Sequence, residues 1–241
     1  MLNQERLNSL LEAYIRDFDL WWQQEEYKLL SLQSFQSHWN LNCPDFVAML
    51  EQATRNLRHI SLFSCKSEYQ DSQFIALAKM ATHTTQKAVA HLLDEQAPLS
   101  KRVDSFTEAV NRLLAQFAND NPNWSLFTKQ SQSISTLLFL HNPSHYYVYQ
   151  REALEPLSNY IEAQLPINWS DNLTGTDLET VFNFYAQLNE HLCACPKLKA
   201  KAQHLYARYQ LPNDQLHCKI PIAQLNFCAK RDTYSPIDRW I

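Results

Sequence analysis

Apolar residues recur along most of the chain at the i, i+3, i+4, i+7 spacing of an amphipathic helix. Leu7, Leu10, Leu11, Tyr14, Ile15, Phe18, Trp21 and Trp22 form the first such stripe, which predicts one long helix running on to about Ser37. Asn42 has the chemistry of an N-cap, with Pro44 one or two places into a second helix carrying Phe46, Val47 and Leu50. Residues 58–70 read as an irregular connection. Phe74, Ile75, Ala78 and Leu92 predict a third helix over about 72–95. Pro98 and Ser100 open the next, where Val103, Phe106, Val110, Leu113, Leu114 and Phe117 make one clean apolar stripe. The run Asn119-Asp120-Asn121-Pro122-Asn123 ends it as a turn.

From Ile134 to Leu140 the chain is densely apolar and reads as a buried helix. It stops at His141-Asn142-Pro143, because a residue before proline avoids the α region. Tyr146, Tyr147, Val148 and Tyr149 are β-prone and predict a short extended piece near 145–149. Helix resumes at about Arg151, begun or interrupted near Pro156, and residues 166–176 are a loop containing Gly175. Leu178, Val181, Phe182, Tyr185, Leu188 and Leu192 make a further helical stripe. Pro196 starts a last helix to about Gln210, and the tail from Leu211, with Pro212, Pro221 and Pro236, reads as irregular. The expected fold class is therefore mainly α, an irregular multi-helix bundle. The expected division is residues 1–165 and residues 166–241, the latter holding the helix 196–210 and the irregular tail.

Composition sharpens this picture at one residue type. Average usage would put glycine at roughly 7%, yet the 241 residues include one, Gly175. Tight hairpins and many strand-to-helix turns use glycine for positive φ, so its scarcity favours helices joined by Pro, Asn and Ser turns. Gly175 itself is expected in a positive-φ turn. Hydrophobic residues at 45% suffice for a sizeable core. The six Cys are scattered, the N-terminus lacks the pattern of a signal peptide, and no apolar run approaches the ~18 residues of a membrane span. Reduced thiols in a cytoplasmic protein, with no membrane partner, are the expectation.

One glycine cannot build a Walker loop or a dinucleotide fingerprint, since both need backbone N–H groups brought close to phosphates. No cofactor is expected. His191, Cys193 and Cys195, with His204, His217 and Cys218 downstream, are zinc-type ligands, but their spacing is not that of paired Cys-x₂₋₄-Cys sites, and packed or solvent-facing side chains are the simpler reading. No metal site is assigned. No Gly-x-Ser-x-Gly elbow is present, and Glu25-Glu26 reads as a solvated helix flank. Glu26-Tyr27-Lys28 has the Glu-x-Lys spelling of a restriction nuclease on a helical stretch, where the motif needs a strand. No catalytic residue is assigned.

Charge is more informative. Between His191 and Arg231 seven Lys or Arg face the single acid Asp214, a local charge of +6; the whole chain is −4, so the remainder carries −10. On a helix, Lys197, Lys201, His204 and Arg208 share one face, Leu198, Ala202, Leu205 and Tyr209 the adjacent one, with Lys199 nearby. One face can pack while its neighbour presents charge to DNA phosphates; the plainer alternative is a solvated face. Tyr146, Tyr147 and Tyr149, with the tryptophans Trp21, Trp22, Trp39 and Trp169, could line a pocket that stacks a base, although most of these aromatics fall on apolar stripes where core packing is the default.

Tyr27-Lys28, Phe35-Gln36, Trp39, Asp45-Phe46 and Met49-Leu50 follow in the order Tyr-Lys…Phe-Gln-x-x-Trp…Asp-Phe-x-x-Met-Leu, a series that resembles the region upstream of the motor domain in McrB-like AAA+ restriction proteins. Asp94-Glu95, Leu99, Arg102 and Phe106 are similar to its Asp-Glu…Leu…Arg-x-x-x-Phe stretch, and Leu137 to Leu140 with His141 to Tyr149 to its Leu…Tyr-Pro-x-Lys-Tyr-Tyr-x-Tyr-Lys segment. The resemblance covers roughly residues 20–160. His145 and Gln150 stand where lysines are usual, which puts any nucleic-acid contact at those two places in doubt. The resemblance implies a part in defence against foreign DNA, in which a motor hydrolyses nucleotide, a partner nuclease cuts and this region selects the target. The AAA+ part is not in these 241 residues, which implies either an excised N-terminal domain or a separate subunit.

The expectation is thus a target-recognition or adaptor domain of an anti-phage restriction system, contacting DNA through Lys197, Lys199, Lys201, His204 and Arg208 and working with AAA+ motor and nuclease subunits. A different class of reading is a scaffold that docks a motor or nuclease without touching DNA. A third is a small metal-dependent nuclease acting through Glu26.

Overall fold

In the computed structural model the described residues are 2–55, 73–118 and 130–201, with backbone alone at 21–29 and 73. The protein is mainly helical, and the described residues contain no strand. Among them, no helix is long and apolar enough to cross a membrane. Its contacts divide it into two units, each assembled from separate stretches: Met1–Leu29, Tyr149–Trp169 and Thr180–Ile241 make the first, Leu30–Val148 and Ser170–Glu179 the second. Neither matches a division at 165/166.

In the first unit, helix α1 (Gln4–Arg16) starts where the Asn3 side chain accepts the Arg6 N–H at 3.1 Å. It buries Leu7, Leu10, Leu11 and Tyr14. The long first helix expected from the sequence is two helices, because Asp17 leaves helical geometry (φ −100°, ψ 20°) before α2 (Phe18–His38) begins. The apolar phase nevertheless carries across the break, with Phe18 buried and meeting Tyr14 edge-on at 5.7 Å.

Helix α8 (Arg151–Tyr160) contains Pro156 and ends without glycine. Glu162 takes the left-handed position after the cap, at φ 55°. The Ala163 N–H reaches the Ser158 carbonyl at 2.8 Å and the Glu162 N–H reaches Asn159 at 3.2 Å, the paired bonds of a Schellman ending. Glu162 is held there by the Asn3 amide (2.9 Å) and Arg6 (3.1 Å), while Arg6 also donates to the Tyr160 carbonyl at 2.9 Å. Helix α9 (Gly175–Cys193) buries the predicted stripe from Leu178 to Leu192. Burial pushes the Tyr185 phenol up, and Tyr149 adds to the shift.

In the second unit, helix α3 (Phe46–Thr54) is capped by Asp45, whose carboxylate accepts the Ala48 N–H at 2.9 Å. The cap is not Asn42, and Pro44 precedes the helix instead of lying inside it. The third helix of the sequence reading is likewise two, α4 (Gln73–Met80) and α5 (Thr82–Leu93), separated at Ala81 (φ −138°, ψ 56°). The Thr82-His83-Thr84-Thr85 run has weak helix preference, and the Thr85 hydroxyl donates to the Leu77 carbonyl at 3.4 Å, closing the end of α4. Helix α6 (Leu99–Phe117) buries Val103, Phe106, Val110, Leu113 and Leu114, as its stripe predicts, and Phe106 meets Phe74 at 6.0 Å. Helix α7 (Gln130–His141) is buried from Gln130 to Leu140 on every side. Residues 145–150 lie outside regular structure.

Gly175 corrects an expectation. Its φ is not positive, and it is the first residue of α9. What requires glycine is crowding: a Cβ there would lie 2.1 Å from the Ser100 carbonyl oxygen. The Gly175 N–H donates to Asp104 at 2.7 Å, and Thr174 caps the helix by accepting the Asp177 N–H at 3.1 Å. The predicted connection 58–70, the turn 119–123, and the tail from Leu211 lie outside the described residues.

Candidate functional site

The basic segment begins where α9 ends. The chain turns at Ala194 and is helical again from 196 to 201, starting at Pro196 as the sequence predicts. Leu198 is completely buried, so the helix has one fixed inward side. Lys197 and Lys199, flanking it, are exposed. Neither has an ion pair among the described residues, so each ammonium is open to an outside anion. Lys201 is partly engaged: its ammonium lies 4.0 Å from Asp19 and 5.5 Å from the Phe18 ring centroid. His204 and Arg208 lie outside the described residues.

The three tyrosines are placed in cores. Tyr146 and Tyr147, in the second unit, are each 7% exposed, and Tyr149, in the first, is 1% exposed. Burial raises the Tyr146 phenol, against the opposing effect of its bond to Arg102.

Arg102 organises a polar cluster that the sequence reading did not single out. It is 3% exposed, on the apolar side of α6. Its guanidinium donates to the carbonyls of Ala97 (3.0 Å) and Leu92 (2.6 Å) and to the Tyr146 hydroxyl (2.9 Å), and lies 5.8 Å from the Tyr146 ring centroid. A buried charge is tolerated only when so satisfied. Close by, the Asn142 amide donates to Glu95 at 2.9 Å. His141 is held below its usual value of 6.5, chiefly by burial and also by the Arg102 charge, with Glu95 opposing. Chemically this is a staple joining the end of α5, the start of α6 and the segment after α7. The signal for it was in the sequence: Arg102 falls in phase with Phe106 on an otherwise apolar stripe.

Many of the residues that carry the McrB-like resemblance have scaffold roles. Phe35 is buried and stacks on Trp39 at 4.6 Å; Asp45 is a cap; Phe46, Met49, Leu50, Phe106 and Leu137 to Leu140 are core. Glu95, Arg102, Asn142 and Tyr146 meet in the staple. Glu26, Tyr27 and Lys28 belong to α2, with no strand beside them among the described residues. In the 191–195 stretch the His191 imidazole meets the Asn8 side chain at 3.0 Å and the Cys193 thiol donates to Asn189 at 3.9 Å. No group of three or more metal-type ligands is found among the described residues. No protein-family model, curated protein or solved structure matches the chain.

Proposed function

We propose that the chain is the target-recognition or adaptor part of an McrB-like anti-phage restriction system, and that it contacts duplex DNA through the lysine edge beginning at Pro196. The observation that carries the reading is the placement of Lys197 and Lys199. Burial of Leu198 fixes the helix, so both lysines are held outward, exposed and without an ion pair among the described residues. DNA presents one phosphate charge per ~1.7 Å of axis, and each lysine that neutralises one releases a condensed counterion. The resemblance supplies the biological setting: a motor and a nuclease as partners, with Lys201, His204 and Arg208 continuing the contact.

The test is fluorescence anisotropy of the full chain with a labelled duplex at two salt concentrations. Binding should weaken with salt, and Lys197→Gln with Lys199→Gln should lower the slope of log K against log salt by about two. Absence of binding, or binding indifferent to salt, removes the DNA reading.

A second reading is a docking scaffold for the motor or nuclease. It is favoured by large apolar side chains left open on α2, with Leu20 50% and Leu30 49% exposed. Co-purification with such subunits, lost on Leu20→Lys or Leu30→Lys and untouched by the lysine substitutions, is the result expected of a scaffold.

A further inference from the structure

We propose that the outer ridge of α5, formed by His83, Lys87 and His91, is a second surface for the phosphate backbone of duplex DNA; its choice of partner rests on the DNA reading above. The three residues are spaced i, i+4, i+8 and are all exposed. They lie opposite the buried positions Thr85, Val89, Leu92 and Leu93, so the ridge is the most outward line of the helix. At 1.5 Å per residue the donors stand about 6 Å apart over about 12 Å, within reach of successive phosphates and comparable to the width of a major groove. Thr84 and Ala90, the exposed residues beside them, are small and leave the ridge open to a close approach.

Charge decides the class of partner. Helix α5 has no acidic residue. The acids next to its end have hydrogen-bond partners of their own: Asp94 accepts the Gln96 N–H at 3.1 Å, and Glu95 accepts from Asn142. On the elements packed against α5, Glu51 pairs with Lys79, Glu108 with Arg112, and Asp104 accepts the Gly175 N–H. The remaining charged or titratable groups there are Lys101, exposed and of the same sign, Arg102, tied to backbone carbonyls, and His141 on α7. None of these forms an ion pair with His83, Lys87 or His91. Among the described residues, none of the carboxylates on these elements pairs with a ridge residue, and Lys87 supplies the positive charge that a polyanion meets there.

The experiment is anisotropy of the full chain with a duplex of roughly 20 base pairs, at two salt concentrations. The parent should bind more tightly at the lower salt concentration. Lys87→Gln should weaken binding severalfold and lower the salt slope by about one, and His83→Arg with His91→Arg should tighten binding and raise the slope by about two. If the α5 variants bind like the parent at both salt concentrations, the ridge is overturned, and loss on Lys197→Gln with Lys199→Gln then leaves the lysine edge standing. Loss in the α5 variants alone fails the lysine edge and keeps the ridge. No binding by the parent removes both. Thermal unfolding by circular dichroism should be unchanged in all, since every altered side chain is exposed.

Discussion

At Gly175 the chain uses its single glycine for space. The usual reason for glycine is a left-handed turn, and that reason is local, so it is the one a sequence suggests. Here the cause is Ser100, 75 residues earlier, whose carbonyl occupies the place of a side chain. Gly175→Ala therefore has to push the start of α9 off the start of α6. Overpacking against backbone costs about 1–3 kcal/mol, and a Cβ at 2.1 Å from an oxygen belongs at the upper end. Urea unfolding should show a loss of about 3 kcal/mol; a change below about 0.5 kcal/mol would mean the two helices do not approach this closely. The left-handed position that glycine usually takes is filled instead by Glu162, held by Asn3 and Arg6. Nothing local in the sequence marks it, because its partners lie some 160 residues away.

Helices were legible as far as their apolar stripes, which located α6 and the buried face of α9. Their ends were less so. Two breaks, at Asp17 and Ala81, fall inside continuous apolar patterns, since hydrophobic phase can persist across a single non-helical residue. The cap of α3 was misplaced by three residues because Asn42 and Asp45 have the same capping chemistry, and only the bond to Ala48 separates them. Asp45→Ala should cost about 1 kcal/mol in urea unfolding and Asn42→Ala almost nothing; equal effects would contradict the assignment. The end of α7 carries a pH dependence. His141 is held below its unfolded value of 6.5, so the unfolded chain takes up the proton first as pH falls. Its contribution to stability is complete above 6.5 and is lost as pH falls through the folded value. The urea midpoint should drop between about pH 7 and about pH 5, and drop less in His141→Gln. An identical pH profile in that variant would remove His141 as a cause.

On the scale of the whole chain, composition shifts only toward the basic end, and no linker separates two halves, so a division at 165/166 was the natural reading. The contacts group residues differently, because each unit recruits stretches far apart in sequence, and pairing of that kind leaves no local mark. This has a direct consequence for fragments. Residues 1–165 retain α1 to α8 but lose Val181, Phe182, Tyr185, Leu188, Leu192 and Leu198 from the first unit, all buried. Full burial of such a side chain is worth about 1.5–3 kcal/mol, so the sum is on the order of 10 kcal/mol, as large as the entire stability of a typical domain. The second unit loses the Ser170–Glu179 stretch, and with it the Leu173 N–H bond to Ser131 and the Gly175 bond to Asp104. The fragment 1–165 should keep helical far-ultraviolet dichroism, lose its near-ultraviolet signal and bind ANS, the behaviour of a chain with helices but without fixed packing. A fragment 1–165 that unfolds cooperatively at the temperature of the full chain would show that the division lies where the sequence first placed it. The same logic limits how the basic segment can be studied: substitutions in the full chain isolate Lys197 and Lys199, whereas deletion of residues 180–241 would remove both lysines together with the buried side chains from Val181 to Leu198.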